Sequence, residues 1–170
     1  QAVISFSSND RALQIETCEE NKIYYAVAAG TLDQEQFEKY KTDEYFLGQV
    51  CPSMDTEYEA GVEMGKFFAD KGIKTAAIYG AFIPNPMRVY RTAGVLAGLG
   101  LSYGGATTEE DVVGLIFADQ GIDLSKISGD IKIVSYLQGY GDTTTDELNA
   151  AIQAAPDAFI SVGMATTFFT

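Results

Sequence analysis

The stretch Thr75–Gly94, TAAIYGAFIPNPMRVYRTAG, decides how this chain is interpreted. Its first six residues are small or apolar and predict a buried strand from Thr75 to Gly80. An irregular loop containing two prolines follows, and then a helix begins. A strand that runs into a helix through a polar and aromatic loop is typical of ligand sites in open α/β sheets, because the carboxyl ends of parallel strands form a crevice.

The same alternation of strand and helix extends through the whole chain. Apolar runs predict six strands, and helix-capping residues predict where several of the intervening helices begin. Because the runs are continuously apolar, we expect buried strands in a mainly parallel sheet with helices on both faces. The predicted fold class is α/β, a Rossmann-like three-layer αβα arrangement. The six strands are Ala2–Phe6, Ile23–Ala29, Tyr45–Val50, Thr75–Gly80, Ile131–Leu137 and Ala158–Val162.

Two local patterns allow specific predictions about the helices. Gly61 and Gly65 lie four residues apart on one helix face, and we expect them to let that helix lie close to a sheet. A later helix begins with a capping box, formed either by Thr107 with Glu110 or by Thr108 with Asp111. The sequence alone leaves both pairs open.

Composition excludes several classes of function. The 170 residues carry a net charge of −13, which disfavours nucleic acid and anionic membrane surfaces because both need basic patches. The absence of histidine removes serine–histidine catalysis and histidine-containing zinc sites. The sequence contains no apolar run of about 18 residues, so it does not predict direct membrane insertion. Since phosphate-loop and metal-ligand spacings are also missing, we expect neither an enzyme nor a bound cofactor or metal.

The two cysteines, Cys18 and Cys51, have no CxxC spacing. We expect free thiols that are buried or half-buried, although a disulfide between them stays open. The chain also begins and ends on apolar runs, which predicts a piece of a longer protein.

Polar and aromatic side chains follow the carboxyl ends of the last three predicted strands. Aromatic rings stack on the C–H faces of a sugar, while amide, carboxylate and guanidinium groups bind its hydroxyls. We therefore expect a site for a small neutral ligand such as a sugar. The alternative is that some of these residues form turns or cover the core. The candidate ligand-binding residues are Phe82, Asn85, Arg88, Tyr140, Asp142, Met164 and Thr166.

Three segments resemble the type I periplasmic-binding-protein superfamily, and more narrowly the sugar-type substrate-binding proteins of ABC transporters. They are Tyr45–Gly80, the NPMRVYRTAG loop and helix, and Pro156–Phe169. The R-x-x-G helix opening of that family is matched by Arg91 and Gly94. Its final D-A-x-x-x-x-G strand is matched by the segment from Asp157.

This resemblance implies a non-catalytic protein with two α/β lobes that close on a ligand held between them. Residues 1–44 would be the remnant of the first lobe, and residues 45–170 the core of the second lobe, truncated at both ends. The implied partners are a small-molecule ligand of the sugar or nucleoside class and an ABC transporter permease, with no nucleic acid. The implied location is extracytoplasmic, either periplasmic or as a cell-surface lipoprotein.

One departure from the family pattern and one further resemblance keep the ligand class open. The family often carries a ligand-binding arginine two positions before the arginine of R-x-x-G, but here that position is Val89 and the extra arginine is Arg88. The Ile-Pro loop before the helix also resembles the nucleoside-binding basic-membrane-protein branch. A further alternative is the ligand-sensing domain of a LacI-type transcription regulator, which shares the fold.

Overall fold

The structure is a computed structural model that describes residues 1–6, 10–28, 32, 34–50, 54–80, 85–137 and 143–163, with the backbone alone at 143 and 144. The chain forms two compact units, residues 1–56 and residues 57–170. The predicted lobe boundary, between residues 44 and 45, falls within the first of these units.

The first unit is built on a parallel sheet with strand order β1–β2–β3. Two helices connect the strands, and a third leads into the second unit. The strands are β1 (Ala2–Ser5), β2 (Tyr24–Val27) and β3 (Phe46–Gln49). The helices are α1 (Arg11–Glu20), α2 (Gln34–Tyr40) and α3 (Met54–Asp70).

The core of the first unit lies between this sheet and its helices. Ile15 and Cys18 of α1 and Tyr40 of α2 pack with Tyr25 and Val27 of β2. Cys18 is a buried free thiol, which confirms the prediction for this cysteine, whereas the second cysteine lies outside the described residues.

The opposite face of the first sheet is exposed. Ile4 and Leu47 are 64% and 63% exposed, and Tyr24 is 45% exposed. Successive side chains in a strand point to opposite faces, so helices on one face alone can bury only alternate residues. The prediction that the first strand is buried is wrong. Ile4 lies on the exposed face, and Val3, on the face toward α1, is still 42% exposed because β1 is an edge strand of the described sheet.

The second unit contains a parallel sheet with strand order β7–β4–β8 and a separate short antiparallel pair, β5–β6, that the sequence did not predict. Its strands are β4 (Thr75–Tyr79), β5 (Ser102–Tyr103), β6 (Ile127–Ser128), β7 (Lys132–Leu137) and β8 (Ala158–Ser161). Its further helices are α4 (Pro86–Gly98), α5 (Glu109–Ala118) and α6 (Thr143–Gln153).

Helices cover both faces of the second parallel sheet. On one face, Ile78 of β4 belongs to a core cluster with Val89 and Leu96 of α4. On the other face, Ala77 of the same strand packs with Ala151 of α6. This mixed α/β arrangement, with mainly parallel strands between layers of helices, is the predicted three-layer αβα fold. The fold class is confirmed.

A carboxylate joins the amino ends of two strands in this sheet. Asp157, directly before β8, accepts hydrogen bonds from the backbone N–H groups of Lys74 at 2.8 Å and Thr75 at 2.9 Å. The Thr75 hydroxyl also donates to it at 3.1 Å. These three hydrogen bonds lower the pKa of Asp157 below its ordinary value of 3.8. The carboxylate thereby helps to set the register between β4 and β8.

Helices α3 and α4 cross with their backbones in direct contact at four glycines, Gly61, Gly65, Gly94 and Gly98. A Cβ atom on Gly94 would lie 2.1 Å from the carbonyl oxygen of Tyr58, which a real atom cannot do. A Cβ on Gly61 would lie 2.2 Å from the carbonyl oxygen of Arg91. The prediction of close packing at Gly61 and Gly65 is confirmed, but the element that approaches them is a helix and not a sheet.

The start of α5 distinguishes the two predicted capping boxes. Thr108 is the N-cap residue, and its hydroxyl accepts a hydrogen bond from the backbone N–H of Asp111 at 3.3 Å. The hydroxyl also donates to the Asp111 carboxylate at 2.7 Å. The second of the two pairs is therefore the one that forms.

Substitution of Gly94 tests the helix contact. We expect Gly94→Ala to lower the free energy of unfolding by about 3 kcal/mol, because the new methyl group forces two backbones apart. The matched control is Gly114→Ala in α5, where a Cβ would meet nothing within 4 Å. That control should be neutral or stabilising by up to about 1 kcal/mol, since alanine favours helices. Urea unfolding measures the free energy of unfolding of both variants. Equal changes in the two variants would contradict the direct contact between α3 and α4.

The Asp157 bridge predicts a pH dependence. Because its folded-state pKa is lowered, its contribution to stability is fully present above the unfolded pKa and is lost as the pH falls through the folded value. Asp157→Asn should therefore be less stable than the wild type at pH 7, and the two should converge below pH 3.8. Exposed Asp130, replaced by asparagine, is the control. A constant difference between pH 7 and pH 3 in urea-unfolding titrations would exclude this role.

Candidate ligand site at the strand ends

The carboxyl ends of β4, β7 and β8 meet at one edge of the second sheet. Tyr79, the last residue of β4, is paired with Leu137 on one side and Ser161 on the other. The N–H of Gly80 donates to the carbonyl of Leu137 at 3.1 Å, and the N–H of Val162 donates to the carbonyl of Tyr79 at 3.0 Å. Ligands of open α/β sheets bind at such an edge.

Asn85 stands at the beginning of α4. It occupies the N-cap position with an extended backbone, but its side chain makes no capping hydrogen bond. Its Oδ1 atom is buried and has no hydrogen-bond partner among the described residues. A buried acceptor that lacks a donor costs free energy. Asn85 is therefore the described side chain best suited to accept a hydrogen bond from a ligand.

Arg88 lies inside the protein, one turn into α4, and is only 3% exposed. Its Nη2 donates a hydrogen bond to the carbonyl oxygen of Gly80, the residue that follows β4. Its guanidinium carbon lies 4.6 Å from the ring centre of Tyr79, within cation–π range. The structure thus attaches Arg88 to the end of β4, and a direct contact between Arg88 and a ligand stays a prediction.

Tyr136 contributes a second aromatic ring at this edge. A Cβ on Gly80 would lie 2.4 Å from its Cε2 atom, so the ring passes directly over that glycine. Burial raises the pKa of Tyr136, and the nearby charge of Arg88 opposes that rise only in part. The hydroxyl therefore stays protonated at neutral pH and can act as a hydrogen-bond donor.

Arg91, one turn further along α4, connects three elements. Its Nε donates to the carboxylate of Glu57 on α3, and its Nη1 donates to the carbonyl oxygen of Val162 at 3.1 Å. Its Nη2 lies 3.7 Å from the sulfur of Met87. The side chain of Glu57 is 4% exposed. Glu57 is thus shielded from water while Arg91 is 30% exposed, and the pair holds α3, α4 and the end of β8 together.

The structure brings together two of the sequence-predicted site residues, Asn85 and Arg88, at the start of α4. The other five lie outside the described residues and stay predictions: Phe82, Tyr140, Asp142, Met164 and Thr166. The sequence did not single out Tyr79 and Tyr136, because both sit in apolar runs that were assigned to the core. Strand register was the missing signal, since it places Tyr136 beside Ile78, at the carboxyl end of β4.

A second polar cluster surrounds the fully buried Tyr103. The Tyr103 hydroxyl donates to Asp119 at 2.6 Å and accepts from the N–H of Asp123 at 2.9 Å, while Lys126 donates to Asp119 at 2.6 Å. Burial and the Asp119 hydrogen bond raise the pKa of Tyr103 to about 12. The hydrogen bond from Lys126 lowers the pKa of Asp119. Tyr103 is thus stabilised as a neutral phenol and Asp119 as a carboxylate, which fits a structural role for this cluster.

A groove of about 490 Å³ lies between α6 and β8. Its lining includes Ile152, Ala155 and Phe159, and Asp157 is the one charged residue in that lining. The Oδ2 atom of Asp157 already accepts a hydrogen bond from the backbone N–H of Lys74, directly before β4. An apolar groove of this kind offers few groups that could orient a polar ligand. The edge around Asn85 has the richer set of polar groups.

In the described part of the chain, no group of three histidine, cysteine, aspartate or glutamate residues could hold a metal ion. None of the helices described is both long and apolar enough to cross a membrane.

Comparison with known proteins gives no match: no protein family, no characterised protein and no solved structure was found to be similar to this chain. The case for a function therefore depends on the residues and their geometry.

The ring of Tyr136 over Gly80 can be tested by substitution. Gly80→Ala should lower the free energy of unfolding by about 2 kcal/mol, because the methyl group displaces a packed ring. Gly163→Ala is the matched comparison, since its Cβ would come no closer than 3.1 Å to the side chain of Arg88 and would meet no ring. We expect Gly163→Ala to lower the free energy of unfolding less than Gly80→Ala does. Near-ultraviolet circular dichroism in the tyrosine region should change more for Gly80→Ala than for Gly163→Ala, and an unchanged spectrum of Gly80→Ala would contradict the arrangement.

Proposed function

We propose that this chain is part of a non-catalytic solute-binding protein that serves an ABC importer and binds a small ligand such as a sugar. The observation that carries the proposal is the polar and aromatic edge of the β7–β4–β8 sheet, where α4 begins. That edge would form one wall of the ligand cleft, and lobe closure by hinge motion would hold the ligand. The protein would release the ligand unchanged.

The geometry supports binding through a small number of positioned groups. Asn85 offers a buried acceptor without a partner among the described residues, and a sugar hydroxyl is a donor that fits it. The partly buried ring of Tyr136 lies at the same edge, and aromatic rings stack on the C–H faces of sugars. Tyr79 is 3% exposed and packs against Arg88, so it supports the edge from inside the protein. The N–H donors of a nucleobase would also suit Asn85, and the Ile-Pro loop before α4 favours a nucleoside as the second candidate ligand.

A ligand screen followed by one substitution tests this function. Thermal-shift measurements with D-galactose, D-ribose, adenosine and amino acids should show one class of ligand that raises the melting temperature. Binding stabilises the native state by about 2.7 kcal/mol at a hundredfold excess of ligand over its dissociation constant. Stabilisation by none of these compounds would count against the proposal.

Asn85→Ala should weaken binding of the stabilising ligand by about tenfold, the loss of one hydrogen bond to a ligand. Because Asn85 makes no capping hydrogen bond, the same change should leave the melting temperature of the free protein nearly unaltered. Asn149→Ala, an exposed asparagine on α6, is the control and should bind like the wild type. Unchanged affinity in Asn85→Ala, measured by calorimetry, would place the site elsewhere.

A further inference from the structure

We propose that Glu57 and Arg91 act as a positioning pair, which holds the carboxyl end of β8 in the place that ligand binding requires without touching the ligand. The effect of this pair on ligand affinity rests on the proposed function. The pair would keep a ligand site at the strand ends in its binding geometry. Its structural basis lies wholly within the described residues of the second unit.

The ion pair restrains Arg91. The carboxylate of Glu57 is almost completely shielded from water, with its side chain 4% exposed, and Arg91 Nε is its partner. A buried carboxylate that loses its partner is strongly destabilised. Arg91 is therefore engaged by Glu57, and its role is to hold other protein groups.

The group that Arg91 holds is the backbone of Val162, the first residue after β8. The N–H of Val162 donates to the Tyr79 carbonyl at 3.0 Å, and its carbonyl oxygen accepts from Arg91 Nη1 at 3.1 Å. Val162 is 2% exposed. Both backbone polar groups of Val162 are thus fixed, one to β4 and the other to α4, at the point where the chain leaves the sheet.

Arg88 makes an equivalent contact for the neighbouring strand. It lies three residues before Arg91, on the same face of α4, and donates to the carbonyl oxygen of Gly80 just beyond β4. Two successive arginines of one helix therefore bind the terminal carbonyls of two adjacent parallel strands. A site whose backbone is fixed in advance loses less conformational freedom when it binds a ligand, and this preorganisation increases affinity.

Arginine is suited to this task because its planar guanidinium donates in several fixed directions. Lysine keeps the charge but cannot hold Glu57 and Val162 together in the same geometry. The informative variant is therefore Arg91→Lys, accompanied by Glu57→Gln, which keeps the size of the side chain and removes its charge. The control is Glu63→Gln on α3, whose exposed pair with Lys66 at 2.8 Å contacts no strand end.

Two measurements on the folded protein test the pair. The first is amide hydrogen exchange without ligand, in which Arg91→Lys and Glu57→Gln should speed exchange locally, at residues 160–163. The second is calorimetric affinity for D-galactose, D-ribose and adenosine, which should fall about tenfold in both variants for whichever compound binds the wild type. Glu63→Gln should match the wild type in both measurements.

The outcomes separate this inference from the proposed function. Exchange that rises evenly over the second unit, with unchanged affinity, would mean that the pair contributes stability alone and would overturn the inference. Unchanged exchange at residues 160–163 would overturn it as well. If none of the three compounds binds the wild type while exchange still rises locally, the proposed function fails, and the positioning of β8 by Glu57 and Arg91 is supported.

Discussion

The second unit depends on the direct backbone contact between α3 and α4. Glycines on both helices remove the side chains that would otherwise separate them, and the contact continues over successive turns. Close approach increases dispersion contacts along the whole crossing. It also sets where α4 begins relative to the sheet. Glu57 lies four residues before Gly61, and Arg91 lies three residues before Gly94. The same crossing therefore brings the Glu57 carboxylate and the Arg91 guanidinium within hydrogen-bonding reach of each other.

The position of α4 in turn decides what the edge of the sheet can do. Directly before α4 stands Asn85, whose Oδ1 atom has no hydrogen-bond partner among the described residues, and the first two turns of α4 carry the arginines that bind the ends of β4 and β8. The arginines are thus used inside the protein, while the open acceptor is at the helix start. Functional sites in general combine groups that hold the backbone with groups that remain available.

Local sequence patterns gave correct predictions wherever the structure depends on residues close together in the chain. The strand at Thr75, the helix after it and the capping of α5 all follow from neighbouring residues, and each is present. The glycine spacing in α3 correctly indicated close packing. It could not identify α4 as the partner, because a small residue is equally compatible with a helix or a sheet. The burial of β1 was predicted wrongly for a related reason, since an apolar run does not reveal whether a second layer of helices covers it.

The sequence by itself determined the α/β class, the order of the helices and of the strands other than β5 and β6, and the residue types available at the loops, because all three depend on short-range patterns of hydrophobicity and capping. Only the tertiary structure decided that Tyr136 lies over Gly80, that Arg88 faces inward and that Arg91 joins Glu57 to Val162. Those contacts join residues separated by up to 71 positions in the chain. They depend on strand register and on one helix crossing, which no local stretch of sequence specifies.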